Sequence, residues 1–225
     1  MIRLLVILIT AYLTFTNINN DHLIDMLFIL VGVWALYENR YHISIYSTII
    51  FIIAMRGVEW GLTAWLGSQN PLTLYPTNLF IDFTTVLLIM LKVPLVKAFS
   101  EKTGKLQSEL EHLHTTGTDF LLTGIYGLYL VITLLSFIEH WFRHIDDIPY
   151  AHQFFDYLLQ FEWIKSHYAT YQINNAQALF DYFYLHARHV YDAAPTFKLY
   201  LNTLEHVVIL SSSYEFMRSH KTFHA

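Results

Sequence analysis

Long apolar runs, separated by short polar segments, occupy most of the 225-residue chain. Each run is close to the roughly 20 residues that a helix needs to cross the apolar core of a bilayer. The pattern predicts six membrane spans: Ile2–Ile18, Leu23–Tyr37, Ile43–Leu66, Thr77–Phe99, Phe120–Phe142 and Thr196–Met217. The first two runs are the shortest. They either cross with local thinning of the bilayer or pair as a re-entrant hairpin.

Two longer polar segments interrupt the predicted spans. Residues 100–118 are charged and predict a cytoplasmic loop, whereas residues 143–194 predict two helices at about Pro149–Tyr168 and Asn174–Asp192. The second segment contains 13 Phe, Tyr and Trp residues. Aromatic residues at this density favour helices that lie in the headgroup region. A small outer domain with its own aromatic core is the alternative.

The predicted fold is an all-α integral membrane protein of about six transmembrane helices with an aromatic-rich helical insertion on the outer face. Residues 1–142 hold five spans, residues 143–194 form the extracytoplasmic insertion, and residues 195–225 hold the sixth span and a cytoplasmic tail. Pro76 and Pro195 stand at the beginning of the fourth and sixth runs. Proline is favoured at the first helical position because its missing N–H is not needed there.

Composition and charge agree with a membrane location and set its orientation. Hydrophobic residues make up 55% and charged residues 14% of the chain, against about 25% charged residues in a soluble domain. With a cytoplasmic N-terminus, eight Lys and Arg residues lie inside and four outside, which favours both termini in the cytoplasm. We therefore expect a multi-pass cell-membrane protein, in the inner membrane if the source is bacterial. Lys92 is expected to snorkel to the cytoplasmic surface.

Several chemistries are disfavoured. The chain has no cysteine, which excludes disulfides, thiolate metal ligands and thiol nucleophiles. No basic block indicates nucleic-acid binding, and the formal net charge is -5. There is no glycine-rich phosphate loop, Gly-x-Ser-x-Gly elbow or His-Glu-x-x-His motif. These observations lean away from an enzyme without deciding the question.

Polar and ionisable residues inside the apolar runs are the candidate functional residues. The predicted topology puts eight of them in the outer half of the bilayer: Arg56, Glu59, Asp82, Glu139, His140, Asn202, Glu205 and His206. Because a charge in hydrocarbon is costly, such a residue usually faces a partner or a cavity. Arg56 and Glu59 are three residues apart and can pair directly. Glu205 and His206 are adjacent, so they point about 100° apart on a helix.

Three functions fit this set. The first is a small transporter, channel-like or ligand-binding membrane unit that acts in an oligomer and uses the set as a polar pathway. The second is a metal-dependent oxidoreductase or hydrolase, in which His140, His144, His206 and Glu205 bind a divalent metal. The third is an accessory or scaffold subunit, in which the charges only fix helix packing. The expected partners are the lipid bilayer and either further copies of the chain or a membrane complex.

Overall fold

Helices make up nearly all of the described structure, a computed structural model that describes residues 2–16, 21–66, 71–104, 107–145, 150–169, 171, 173, 175–186 and 189–223. In chain order the α-helices are α1 (Ile2–Thr16), α2 (Asp21–Glu38), α3 (Ile43–Leu66), α4 (Pro71–Met90), α5 (Lys92–Thr103), α6 (Gly117–Arg143), α7 (Ala151–Leu158), α8 (Glu162–Ala169), α9 (Ala176–His186) and α10 (His189–Phe223). A 3₁₀ helix, Gln107–His112, precedes α6. These residues contain no strand, so the prediction of an all-α chain is confirmed for them.

The chain divides into two compact units. Unit 1 comprises Met1–Val131 and Thr196–Ala225, and unit 2 comprises Ile132–Pro195. Helices α6 and α10 each contribute residues to both units. Unit 2 therefore contains the predicted insertion together with about three turns from the end of α6.

Fewer helices qualify as membrane spans than the sequence pattern predicts. Within the described residues, α3 and α6 are long and apolar enough to cross a membrane. Residues 74–90 of α4 and helix α5 pass the same test as a pair, but the chain bends by 73° between them. The described part of the chain thus offers two candidate spans, or three if the bent pair is one, and the six-span count is not confirmed. Helix α1 is shorter than a span, and the middle of α10 is polar.

The fourth apolar run is not one straight helix. Leu91 separates α4 from α5, and Pro94 lies in the first turn of α5. Proline has no N–H to donate to the carbonyl four residues earlier, so a continuous α-helix would lose a hydrogen bond at this point. The first turn of a new helix needs no such bond. A break just before Pro94 therefore fits the sequence better than the single span that the apolar pattern predicted.

The predicted helix starts at Pro76 and Pro195 were wrong. Both prolines lie inside helices, because α4 begins at Pro71 and α10 begins at His189. A proline within a helix removes one backbone hydrogen bond, but tertiary packing commonly overrides such local preferences. Ala194, just before the second proline, is buried. Pro71, by contrast, occupies the first helical position, where proline is favoured.

The segment between α5 and α6 is fastened to the beginning of α3. Ser44 Oγ donates a hydrogen bond to the carbonyl oxygen of His112 and accepts one from the backbone N–H of His114, both at 2.9 Å. Ile43, Val96 and Leu113 form a small apolar core in the same region. The predicted polar loop at 100–118 is therefore tied to α3 by both polar and apolar contacts.

Unit 2 has an apolar core that joins its short helices to the end of α6. The core consists of Ile145, Ala151, Ala176 and Phe180, with Phe142 and Phe155 packed against it. Asp156 Oδ1 accepts a hydrogen bond from the N–H of Ala176, and Asn175 Oδ1 accepts one from the N–H of Ala178, both at 2.8 Å. These side chains cap the beginning of α9.

Two helices were predicted for the insertion. Its described residues form three, α7 to α9, together with the first turns of α10. The Gln160 and Phe161 turn ends the first predicted helix early. The predicted bounds Pro149 and Asn174 lie outside the described residues.

Candidate functional site

A charged and aromatic cluster lies within unit 1, and an arginine is at its centre. Arg56 Nη1 donates to Glu59 Oε2 at 2.8 Å, and Arg56 Nη2 donates to Glu205 Oε2 at 2.9 Å. The amide oxygen of Asn202 lies 3.4 Å from the same Nη2. Glu59 is on α3 with Arg56, whereas Asn202 and Glu205 are on α10. The predicted pairing of Arg56 with Glu59 is confirmed, and a second carboxylate joins it from a distant part of the chain.

Two tyrosines of α6 complete this hydrogen-bond network. Tyr126 donates its hydroxyl proton to Glu205 Oε1, and Tyr129 donates to the side-chain oxygen of Asn202. Each oxygen of the Glu205 carboxylate therefore accepts a hydrogen bond from a different helix. We call this group the Arg56 cluster, and its members are Arg56, Glu59, Tyr126, Tyr129, Asn202 and Glu205.

Aromatic rings surround the guanidinium group of Arg56. Its Cζ atom lies 5.4 Å from the ring centroid of Phe28, 5.6 Å from that of Tyr129 and 5.9 Å from that of Tyr126. Contacts at this range are attractive because the face of an aromatic ring is electron-rich. The rings replace part of the hydration that the cation loses, so they favour a charged arginine in an otherwise apolar helix.

The solvent exposure of the side chains decreases from Arg56 and Glu59 to Glu205. The side chains of Arg56 and Glu59 are 21% and 26% exposed, whereas the side chain of Glu205 is 1% exposed. The adjacent His206 is also buried, and its ring lies 5.8 Å from the ring of Phe28. Consistent with their adjacent positions on the helix, Glu205 is bound to Arg56 while His206 packs on an aromatic ring.

Asp82 and Lys198 add two charges in the neighbourhood of the cluster. Lys198 on α10 interacts electrostatically with Asp82 on α4 and with Glu59 and Arg56. Asp82 also lies within electrostatic range of Tyr129. His206 likewise interacts electrostatically with Glu205 and Arg56. Of the eight residues predicted from the sequence, unit 1 therefore brings together six: Arg56, Glu59, Asp82, Asn202, Glu205 and His206.

Glu139 and His140 belong to unit 2 and have different surroundings. Glu139 Oε1 accepts a hydrogen bond of 3.0 Å from the backbone N–H of Val190, near the beginning of α10. It therefore caps a helix N-terminus, where a carboxylate is favoured. The rings of His140 and His144 lie 4.5 Å apart, as expected for residues one helical turn apart.

The hypothesis of a metal site gains no support from the described residues. They contain no group of three or more His, Asp and Glu side chains placed to bind one metal ion. His140 and His144 are in unit 2, whereas Glu205 and His206 are in unit 1. The Glu205 carboxylate oxygens are also engaged by Arg56 and Tyr126.

A second polar cluster was missed by the sequence analysis. Lys92 is 1% exposed and does not snorkel, so that expectation was wrong. Its Nζ atom donates to Asp119 Oδ2, to the carbonyl oxygen of Ser44 at 2.8 Å and to Thr48 Oγ1 at 3.1 Å. The sequence could have indicated this pair, because Lys92 and Asp119 carry opposite charges and lie on either side of the connection between two neighbouring apolar runs.

Comparisons of the chain with protein-family models, with curated proteins and with solved structures gave no match.

Proposed function

We propose that this chain is an integral membrane protein of about six spans that binds and passes a proton or another small monovalent cation through the Arg56 cluster. The observation that carries the proposal is Arg56 itself, held between Glu59 and Glu205 within an apolar helix that is long enough to cross a membrane. The proposed unit is transporter-like or channel-like, and it acts as an oligomer because so few helices enclose a pore poorly.

Large apolar side chains on the outside of unit 1 support the membrane location. Exposed examples from four helices are Leu8, Leu30, Val33, Phe80, Phe83, Leu121 and Leu128. A soluble monomer rarely exposes apolar surface on this scale. In a bilayer the same surface contacts lipid, which avoids the unfavourable free energy of exposing it to water. In the six-span arrangement α10 also crosses, with Glu205 and His206 buried against other helices and therefore away from lipid.

The graded accessibility of the cluster supports a pathway. Arg56 and Glu59 keep about a fifth to a quarter of their side-chain surface exposed, although both lie in a candidate span. Charged groups in such helices face water-filled cavities or partners because contact with lipid is expensive. Partly exposed Glu59 and buried Glu205 would then be the outer and inner ends of one polar route, with Arg56 bound to both of them.

The balance of charge favours a cation as the transported species. Glu59, Asp82 and Glu205 supply three carboxylates, and Arg56 and Lys198 supply two cations. One negative charge is thus uncompensated when all five groups are ionised. A bound proton or monovalent cation neutralises the group, whereas an anion would double the imbalance.

The geometry also suggests how binding at the two ends is coupled. The Arg56 guanidinium keeps its proton, so it does not pass one on. It binds both carboxylates at once. A proton on Glu59 leaves Arg56 paired with Glu205, and a proton on Glu205 leaves it paired with Glu59. Arg56 therefore makes the proton occupancy of the two carboxylates depend on each other.

Flux measurements on purified protein in liposomes test the proposal. A pH-sensitive dye inside the vesicles reports proton entry driven by a potassium diffusion potential. We expect the wild type to raise proton entry above that of protein-free vesicles, and Glu205→Gln and Glu59→Gln to return it to that background. Glu139→Gln is the matched control, because it makes the same chemical change in a long apolar helix outside the cluster.

Two results would overturn the proposal. One is a folded wild-type protein that passes neither protons nor sodium or potassium ions. The other is flux that is unchanged in both cluster variants while they elute as the wild type does in size-exclusion chromatography. The second result would leave the cluster with the packing role of a scaffold subunit.

A further inference from the structure

Helix α7 has two different apolar faces. Ala151 and Phe155 lie on one side, and α7 packs with this side against α9. Phe154 and Tyr157 lie three residues apart on another side and are 57% and 59% exposed. The ring of Tyr157 lies 5.5 Å from the ring of Phe161, which is 43% exposed in the following turn. We call Phe154, Tyr157 and Phe161 the aromatic ridge.

In the described part of unit 2, the apolar core includes none of these three residues. Phe155 on α7 and Leu159 just after it are next to the ridge in sequence, and they pack with residues of α9 instead. An exposed row of three aromatic rings on one short helix and its adjoining turn marks a binding surface.

The same unit contains the end of a candidate membrane span. In the last turns of α6 the exposed side chains are apolar, namely Leu134, Leu135, Ile138 and Trp141. The next two residues, Phe142 and Arg143, contact α9. The ring of Phe142 lies 5.1 Å from that of Phe183, and the guanidinium carbon of Arg143 lies 5.3 Å from the ring centroid of Tyr184. Helix α9 therefore contacts the end of α6, where the lipid-facing surface of α6 would end.

We propose that the aromatic ridge inserts into the headgroup region of the bilayer that α6 crosses. A Tyr ring is favoured in this layer, where the ring contacts acyl chains and the hydroxyl stays hydrated. Phe rings occur on the buried apolar face of helices that lie in the same layer. Trp163 on α8, at 73% exposed, has the same chemistry. This inference shares with the proposed function only the membrane location and does not depend on the Arg56 cluster.

Charge identifies the kind of lipid contact. Residues 144–194 contain six acidic residues and only two basic ones, Lys165 and Arg188. A segment with this excess of negative charge is repelled by anionic headgroups. Insertion of the ridge must therefore come from its rings, and a zwitterionic bilayer is sufficient for it.

Spin labels test the ridge directly, since the native chain has no cysteine. Tyr157→Cys and Phe161→Cys each place one label on the ridge of the full-length protein in phosphatidylcholine vesicles. Gln177→Cys is the control, because Gln177 is exposed on α9, where it hydrogen-bonds with Asp181. Oxygen, which concentrates in lipid, and a water-soluble nickel chelate report the surroundings of each label.

We expect both ridge labels to be more accessible to oxygen than to the nickel chelate, and the Gln177 label to show the opposite order. Because the segment is acidic, phosphatidylglycerol added to the vesicles should not increase the oxygen accessibility of the ridge labels. Ridge labels as accessible to the nickel chelate as the control would overturn the proposal, because the ridge would then lie in water. Spectral broadening at the ridge sites that disappears on dilution with unlabelled protein would also overturn it, since a second copy would then cover the ridge.

Discussion

The two tyrosines of the Arg56 cluster donate hydrogen bonds to chemically different acceptors. Tyr126 donates to the buried carboxylate of Glu205, and Tyr129 donates to the amide oxygen of Asn202. A hydrogen bond to a charged group contributes about 1.5–3 kcal/mol to stability, whereas one between neutral groups contributes about 0.5–1.5 kcal/mol. The two phenols lie three residues apart on α6, so they form a natural comparison.

We expect Tyr126→Phe to lower the free energy of unfolding more than Tyr129→Phe does. The first change removes a donor from a fully buried carboxylate, while the second removes a donor from a neutral amide. The difference should be about 1 kcal/mol or more. Denaturant unfolding in detergent micelles, followed by circular dichroism, measures it. Equal losses would show that the acceptor's charge has little influence on the network.

At the scale of single residues, the sequence predicted contacts between residues close together in the chain but not between residues far apart. The bond between Arg56 and Glu59 follows from a separation of three residues on one helix. The bond to Glu205 joins positions 149 residues apart, and no local pattern encodes which face of α10 meets α3. Tyr126 and Tyr129 were overlooked for a related reason: a tyrosine in an apolar run looks the same whether its hydroxyl binds a carboxylate or lies at a membrane surface.

At the scale of helices, the bend between α4 and α5 is held by charge as well as by Pro94. Lys92 begins α5 and donates hydrogen bonds to α3, through Ser44 and Thr48, and to α6, through Asp119. Asp119 Oδ2 also accepts a hydrogen bond of 2.6 Å from the N–H of Thr116. The apolar pattern predicted where these helices lie along the chain, but it could not predict the bend, because bending depends on which groups meet in three dimensions.

Removing one partner of this buried pair should be worse than neutralising both. Lys92→Met leaves the Asp119 carboxylate buried without its cation, a change that costs about 3–5 kcal/mol. In the double variant Lys92→Met with Asp119→Asn, no charge is buried, so we expect it to unfold at a higher denaturant concentration than Lys92→Met alone. Unfolding of both single variants and of the double variant in micelles completes the cycle. A double variant less stable than Lys92→Met would contradict the argument.

At the scale of the whole molecule, the number of crossings decides on which side each segment lies. Helices α3 and α6 qualify as spans by length and composition, whereas α10 carries Lys198, Asn202, Glu205 and His206 in its middle. Hydropathy alone would exclude α10. The structure buries Glu205 and His206 and pairs Glu205 with Arg56, which removes the main objection to a crossing. Whether α10 crosses is therefore the decisive question for the six-span topology.

Three single-cysteine variants answer it, because the native chain offers no competing thiol. Glu101→Cys lies near the end of α5, in the segment predicted to be cytoplasmic. Gln177→Cys lies on α9, and Ala225→Cys follows α10 in the sequence. We expect a membrane-impermeant maleimide, added to intact cells, to label only Gln177→Cys, since both termini are predicted to be cytoplasmic and α6 and α10 each cross once. Permeabilised cells provide the control, in which all three sites should react. Labelling of Ala225→Cys together with Gln177→Cys in intact cells would mean that α10 does not cross. The Arg56 cluster would then join a membrane helix to one outside the bilayer, and a continuous route across the membrane could not run along α10.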